Sequence, residues 1–189
     1  MRVSRSAIVA VVGVVAAMCS IAVRASGSLP ALPPPPPGEL AQFDYFLGNW
    51  QCDAWDSASV LGPAHKATTA ITFERELGRH WVVMHWSEER ADDNPHPWSL
   101  ENAFAYEPAK KQFVYVSRDN TGAFAWGNSR GWDGSSLVID GEYDDDAGQR
   151  AAFRDTYVKH SDTAFDFVTE LKLGGQWSKD ATLQCHKAP

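Results

Sequence analysis

Phe43-Asp44-Tyr45-Phe46-Leu47-Gly48-Asn49-Trp50-Gln51-Cys52 is the stretch on which the fold of this 189-residue chain turns. It reads as a short helical or turn segment, a glycine that lets the backbone swing, and a strand that opens on a large indole. Before it lies a proline-rich leader. After it the chain reads as one extended run after another, so Trp50 marks the start of a β domain.

Working upstream, Arg2 and Arg5 precede an uncharged apolar run from Ala7 to Val23, and Val23-Arg24-Ala25 has the small residues of a cleavage site. Residues 1–25 are therefore read as a secretory signal. The alternatives are an uncleaved anchor, at the short limit for a bilayer span, and acylation of Cys19. Residues 26–37 (SGSLPALPPPPP) form a linker, because consecutive prolines favour an extended polyproline II spacer and cannot join a sheet. The domain proper is residues 38–189, and it opens with Leu40, Phe43 and Leu47 at helical spacing, a segment suited to lidding one end of a barrel.

Removing residues 1–25 takes away three Arg and no acid, leaving 14 basic against 24 acidic residues, a net charge of −10. That balance argues against nucleic acid and anionic membrane surfaces as partners of the mature domain. It suits an exported protein, periplasmic or secreted. Hydrophobic residues make up 44% of the chain and aromatics 12%, enough for one core in one domain.

Working downstream, turn signals divide the chain into extended runs at 66–76, 80–88, 99–107, 112–118, 123–132, 135–143, 149–160, 163–173 and 176–186. With the Trp50 strand this makes about ten strands joined by short turns, an all-β antiparallel meander. Closure into an up-and-down barrel removes open edges. A two-sheet sandwich is the alternative, and it would place the terminal strands on separate layers. The cysteines discriminate: in a closed meander Cys52 and Cys185 lie across one ladder. A disulfide there closes 133 residues, and in the loop-entropy account stabilises by roughly 3–5 kcal/mol.

The opening F-D-Y-F-L-G-N-W at 43–50 resembles that of a largely bacterial family of exported, lipocalin-like (calycin-type) domains of unknown function. Tyr106-Glu107-Pro108-Ala109-Lys110-Lys111-Gln112-Phe113, the Asp119-Asn120 turn, Gly131-Trp132-Asp133-Gly134 and Phe153-Arg154-Asp155-Thr156 extend the resemblance over residues 40 to 187. It implies a barrel of about ten strands similar to nitrobindin and fatty-acid-binding architectures, with the Gly48-Asn49-Trp50 indole plugging one end. No activity follows from it. Nitrobindin-like barrels hold haem through a His near the C-terminus, for which His186 is the candidate. Strand parity turns that side chain away from a Cys185 that faces the seam interior, so no cofactor is expected.

Several motifs suggest chemistry. Gly127-Asn128-Ser129-Arg130-Gly131 matches G-x-S-x-G, but a nucleophile elbow needs a helix after it and another strand follows instead. Asp92, Asp93 and His96 share a polar loop, and Asp144-Asp145-Asp146 lacks the spacing of a calcium loop. His80 and His85 are five apart, so one of them is expected to point inward. Rows Phe113-Tyr115-Ser117-Asp119, Phe124-Trp126-Asn128-Arg130-Trp132, Arg154-Thr156 and Phe165-Phe167-Thr169 are read as lining a cavity with aromatic walls and polar anchors. The expected ligand-binding residues are His85, Tyr115, Asp119, Trp126, Asn128, Arg130 and Arg154, with either arginine pairing a ligand carboxylate or phosphate, or else satisfied by Asp119, Asp155 or Glu170. The function expected is binding of a small, partly apolar molecule without turnover. The alternatives are an isomerase or hydrolase using His85 or Asp119, a haem-binding nitrobindin-like protein as the resemblance implies, and a structural envelope protein whose filled barrel binds nothing.

Overall fold

The computed structural model describes residues 34–58, 63–145 and 147–188. The expected signal segment 1–25 and residues 26–33 of the linker lie outside them, as does Asp146. The chain order is a 3-10 helix Gly38–Phe43, then β1 Gly48–Asp56, β2 His65–Glu76, a 3-10 turn Leu77–Arg79, β3 Trp81–Glu88, β4 Ser99–Glu107, β5 Gln112–Asp119, β6 Phe124–Ser129, β7 Trp132–Asp133, β8 Ser136–Asp144, β9 Arg150–Ser161, β10 Ala164–Leu173 and β11 Gln176–Lys187. Each strand pairs antiparallel with its sequence neighbour except β6 with β7; β7 pairs only with β8, β6 pairs with β8 past the two-residue β7, and β1 pairs with β11. The result is a closed ten-stave barrel rather than a sandwich.

Closure rests on two places. Cys52 and Cys185 stand directly opposite in the β1–β11 register and are joined by a disulfide. At the β6–β8 seam, Gly127 faces Gly141, and a Cβ on Gly141 would strike the Trp126 carbonyl and the Phe153 ring. Only glycine lets these two backbones approach so closely, and Phe153 fills the space a side chain would have taken.

Alternation sorts each stave into an inner and an outer row. Trp50, Cys52, Ala54 and Asp56 of β1 point in, as do Ile71 and Phe73 of β2, Val82, Met84, Trp86 and Glu88 of β3, and Phe153, Asp155 and Tyr157 of β9. One end of the interior is closed by aromatic rings. Trp50 is 1% exposed and donates its indole N–H to the Phe46 carbonyl. Phe46 stacks on Phe73 at 4.9 Å and meets Trp132, Tyr157 and Phe165 within 5.5 Å. The Gly38–Phe43 helix lies over them with Leu40 and Phe43 fully buried, and Arg75 ties it down through Asp44 and the Leu40 carbonyl.

Three expectations fail here. Neither His80 nor His85 points in. The Leu77–Arg79 turn delays β3 until Trp81, leaving His80 beside the Pro34 carbonyl, while His85 has outer parity. On β6 the inner residues are Ala125 and Ser129, so Phe124, Trp126 and Asn128 face out. The expected single run 123–132 breaks after Ser129, because Gly131 takes φ +93° to clear Gln42. Trp132 then folds back under the lid, donating its backbone N–H to Gln42 Oε1 and its indole N–H to the Gln42 carbonyl.

Candidate functional site

The end of the barrel away from the lid is open. A cavity of about 380 Å³ runs inward from it, reached between the ends of β1, β3, β5, β8 and β10 and the starts of β2, β4, β6, β9 and β11. Trp86, Trp98, Leu100, Phe153, Phe167 and Leu171 form apolar walls. The charged groups that line it are mostly acidic: Asp56, Glu88, Asp155 and Asp180, with Asp119 and Asp145 at the mouth.

Deep in the cavity Asp155 is 3% exposed, and its Oδ1 accepts a hydrogen bond from the Thr169 hydroxyl at 2.8 Å. Burial pushes its carboxyl up to about 7, against the pull of hydrogen bonds from Thr169 and Tyr115. The Tyr115 and Tyr157 phenols are raised well above their ordinary value, by burial first and by the nearby Asp155 second. A carboxyl group kept protonable and two phenols kept neutral make this floor a set of hydrogen-bonding groups rather than a charged patch.

Nearer the mouth, Asp56 and His65 face each other across β1 and β2, and Glu88 ends β3 on the same inner face. Glu88 is clamped by the loop that follows it. Its Oε2 accepts from the Asn94 side-chain amide at 2.9 Å and from the Trp98 N–H at 2.7 Å, and its own N–H returns to the Trp98 carbonyl. His65 is oriented from behind by the Pro63 carbonyl, 3.0 Å from Nδ1. A carbonyl only accepts, so Nδ1 carries the proton in that contact. Burial and the facing Glu88 push Asp56 up to about 7. Asp180 enters through a bulge: Thr169 pairs with Ala181 but Glu170 pairs with Lys179, so Asp180 turns inward beside Ala181. Burial raises its carboxyl as well.

Several buried polar atoms in this region have no hydrogen-bond partner among the described residues: both oxygens of Asp56, Nε2 of His65, Oε1 of Glu88, Nε1 of Trp86 and Oδ1 of Asn102. Folded proteins pair nearly all such groups, with ordered water among the partners, so a concentration of them in one cavity marks where water, another molecule or an ion is met.

Of the residues expected to bind ligand, Tyr115 and Asp119 line this cavity. Asp119 Oδ1 is already committed to its turn, accepting from the Thr121 N–H and hydroxyl and from the Ala123 N–H. His85, Trp126, Asn128, Arg130 and Arg154 lie on the outer face, so, against expectation, none of them lines the cavity. Arg154 pairs with Asp140 at 2.8 Å and lies over Trp177, and Arg130 is exposed, so neither guanidinium enters the cavity. Ser129 of the G-x-S-x-G match is buried and accepts from the Gly131 N–H, with no helix behind it. His186 faces away from the interior. Asp92, Asp93 and His96 are exposed; the loop's contribution is Asn94, 4% exposed, which sequence reasoning missed. It also missed His65, Asp56, Glu88 and Asp180.

No curated protein matches the chain. Among solved structures it is similar to the crystal structure of Rv2717c from M. tuberculosis, with a TM-score of 0.63 and 10% identity over 82% of this chain and 99% of that one. At that identity the likeness concerns the fold alone. A redesigned β-barrel, b11L5F_LGL, aligns with a TM-score of 0.40 and 11% identity over 77% of this chain and 94% of that one, too low to carry an argument. Residues 36–187 match the family described as "Protein of unknown function (DUF1579)", and the chain belongs to that family.

Proposed function

We propose that this DUF1579 barrel is an exported binding protein that holds a small, partly apolar molecule in its open-ended cavity without transforming it. The observation that carries the reading is the cavity itself: about 380 Å³, apolar-walled, with buried polar atoms that have no hydrogen-bond partner among the described residues. That is the usual construction of a small-molecule site. The sign of the ligand's polar end follows from the groups present. Asp56, Glu88, Asp155 and Asp180 face inward, and the one arginine at the mouth, Arg150, is held by Asp144 at 2.7 Å and by Glu142. An amine or another hydrogen-donating head suits such a lining, and a carboxylate does not. The Cys52–Cys185 disulfide supports export, since such bonds persist in oxidising compartments. No helix among the described residues is long and apolar enough to cross a membrane.

The test is a matched pair of probes, octylamine and octanoate, titrated into the isotopically labelled protein. The amine is expected to shift the amides of Tyr115, Asp155 and Phe167 with saturation, and octanoate to leave them in place. Preference for the acid, or no saturable shift with either, overturns the reading.

A further inference from the structure

The cluster at the cavity mouth has a feature that an organic ligand does not need. Three side chains from three strands present acceptor atoms to one another there. Asp56 is 6% exposed, and neither of its oxygens has a hydrogen-bond partner among the described residues. Glu88 is 5% exposed, and because Asn94 and Trp98 occupy its Oε2, its Oε1 is left without a partner. His65 donates its Nδ1 N–H to the Pro63 carbonyl, so the ring presents Nε2 as an acceptor; that atom is buried, has no hydrogen-bond partner among the described residues, and lies 3.7 Å from Glu88 Oε2. One ligand atom from each of the three residues lies within 4.8 Å of the others. Acceptors converging on acceptors repel unless something positive sits among them.

We propose that Asp56, His65 and Glu88 bind a divalent transition-metal ion, with an open coordination position facing the cavity. One imidazole nitrogen with two carboxylates is a borderline donor set, suited to zinc or manganese and unsuited to calcium, which prefers an all-oxygen shell. The surroundings are those of a built metal site. The Pro63 carbonyl fixes the tautomer and aim of His65, and Asn94 with the Trp98 N–H fixes Glu88, which is how outer groups orient metal ligands. Asp180, brought in by its bulge, adds negative charge near Asp56. The cation site does not depend on the organic-ligand reading, since it is assayed on the protein alone.

A second trio, Glu74, Glu76 and His85, has the same composition on the outer face. All three side chains there are more than two-fifths exposed, so water serves them and the trio supplies a control.

The experiment uses untagged protein stripped with chelator and titrated with Co2+ as a spectroscopic substitute for zinc. Expected are one equivalent bound, a visible ligand-field band, and paramagnetic broadening centred on His65 and Glu88. His65→Gln is expected to weaken binding by more than about 100-fold, and Asn94→Ala by roughly 10–100-fold, the usual cost of losing an outer partner. His85→Ala leaves binding unchanged. Should His65→Gln fail to fold, the broadening map of the unsubstituted protein decides. No binding, or broadening centred on His85 or on another histidine, overturns the proposal and leaves the mouth cluster as carboxyl groups sharing a proton.

Discussion

The two ends of this barrel are built on opposite principles. At the lidded end, rings pack on rings, and the two indole N–H groups are paired: Trp50 with the Phe46 carbonyl, Trp132 with the Gln42 carbonyl. At the open end, buried oxygens of Asp56 and Glu88 have no hydrogen-bond partner among the described residues, and burial pushes the carboxyls of Asp56 and Asp155 up to about 7. An unpaired buried polar group costs stability, so the open end is maintained against the folding free energy that the lidded end supplies. Truncating an apolar side chain should therefore cost more at the lidded end than at the open one, and neutralising a buried carboxyl at the open end should relieve a cost.

The sharpest way to break this contrast is Phe46→Ala. Its ring touches Phe73, Trp132, Tyr157 and Phe165, and the lid cannot collapse into the space without losing Trp50. A loss of about 3–5 kcal/mol is expected from denaturant unfolding. Leu100→Ala, on the cavity wall, should cost less than half of that, because its side chain already borders open space. Equal costs would mean that the cavity end is as tightly packed as the lid.

Next in size is Asp155→Asn. The carboxyl has an ordinary value of 3.8 and is raised to about 7 in the fold. Between those limits the native state holds a proton that the unfolded chain has released, so stability falls as pH rises through pH 4 to 7. Tyr115 and Tyr157 are neutral there, and Asp180 adds repulsion. The ceiling is about 4 kcal/mol, at roughly 1.4 kcal/mol per unit. The variant should lower the pH slope of unfolding by one proton's worth and be relatively more stable at pH 8 than at pH 4. An unchanged slope would show that Asp155 is ionised or solvated in the native state.

Gly141→Ala probes the seam that both ends share. The added methyl meets the Trp126 carbonyl and the Phe153 ring, and backbone cannot yield as a flexible side chain does. About 1–3 kcal/mol is expected, together with faster amide exchange confined to the β6–β8 ladder. Uniform exchange across the barrel would place the closing constraint elsewhere.

Which of these features the sequence disclosed follows from their periodicity. The Trp50 strand, the turns, the closed topology and the Cys52–Cys185 pairing all rest on alternation and turn chemistry, and those survive into the fold. The parity of β6 does not follow from hydrophobicity. Phe124 and Trp126 stack on each other outside, with Arg150 over the indole, while the small Ala125 faces in so that the cavity stays open. The mouth cluster had a usable signal. Asp56 continues the row Trp50, Cys52, Ala54, and Glu88 continues Val82, Met84, Trp86, so polar residues on the inner parity at strand ends point to the cavity rim. His65 stands one residue before the run expected for β2 and continues its inner row. Asp180 had no such signal, because a bulge places it and bulges break the alternation that sequence reading depends on.

The smallest expected effect tests whether position or composition makes a site. His85 lies 3.4 Å from Glu74, 3.6 Å from Glu76 and 3.7 Å from Glu101, an acidic surround as dense as that of His65. Its side chain is 44% exposed where that of Glu88 is 1%, so solvent screens each of its ion pairs. His85→Ala should change unfolding free energy by no more than about 0.5 kcal/mol. Saturation by octylamine should be unaffected, since the ring is on the far side of the stave from Trp86. The identical substitution at His65 removes the only cavity-lining imidazole among the described residues and should change the amine's affinity even where stability holds. If the two variants behave alike, the open end has no claim to be distinct from the barrel's outer surface, and burial is not what separates the two trios.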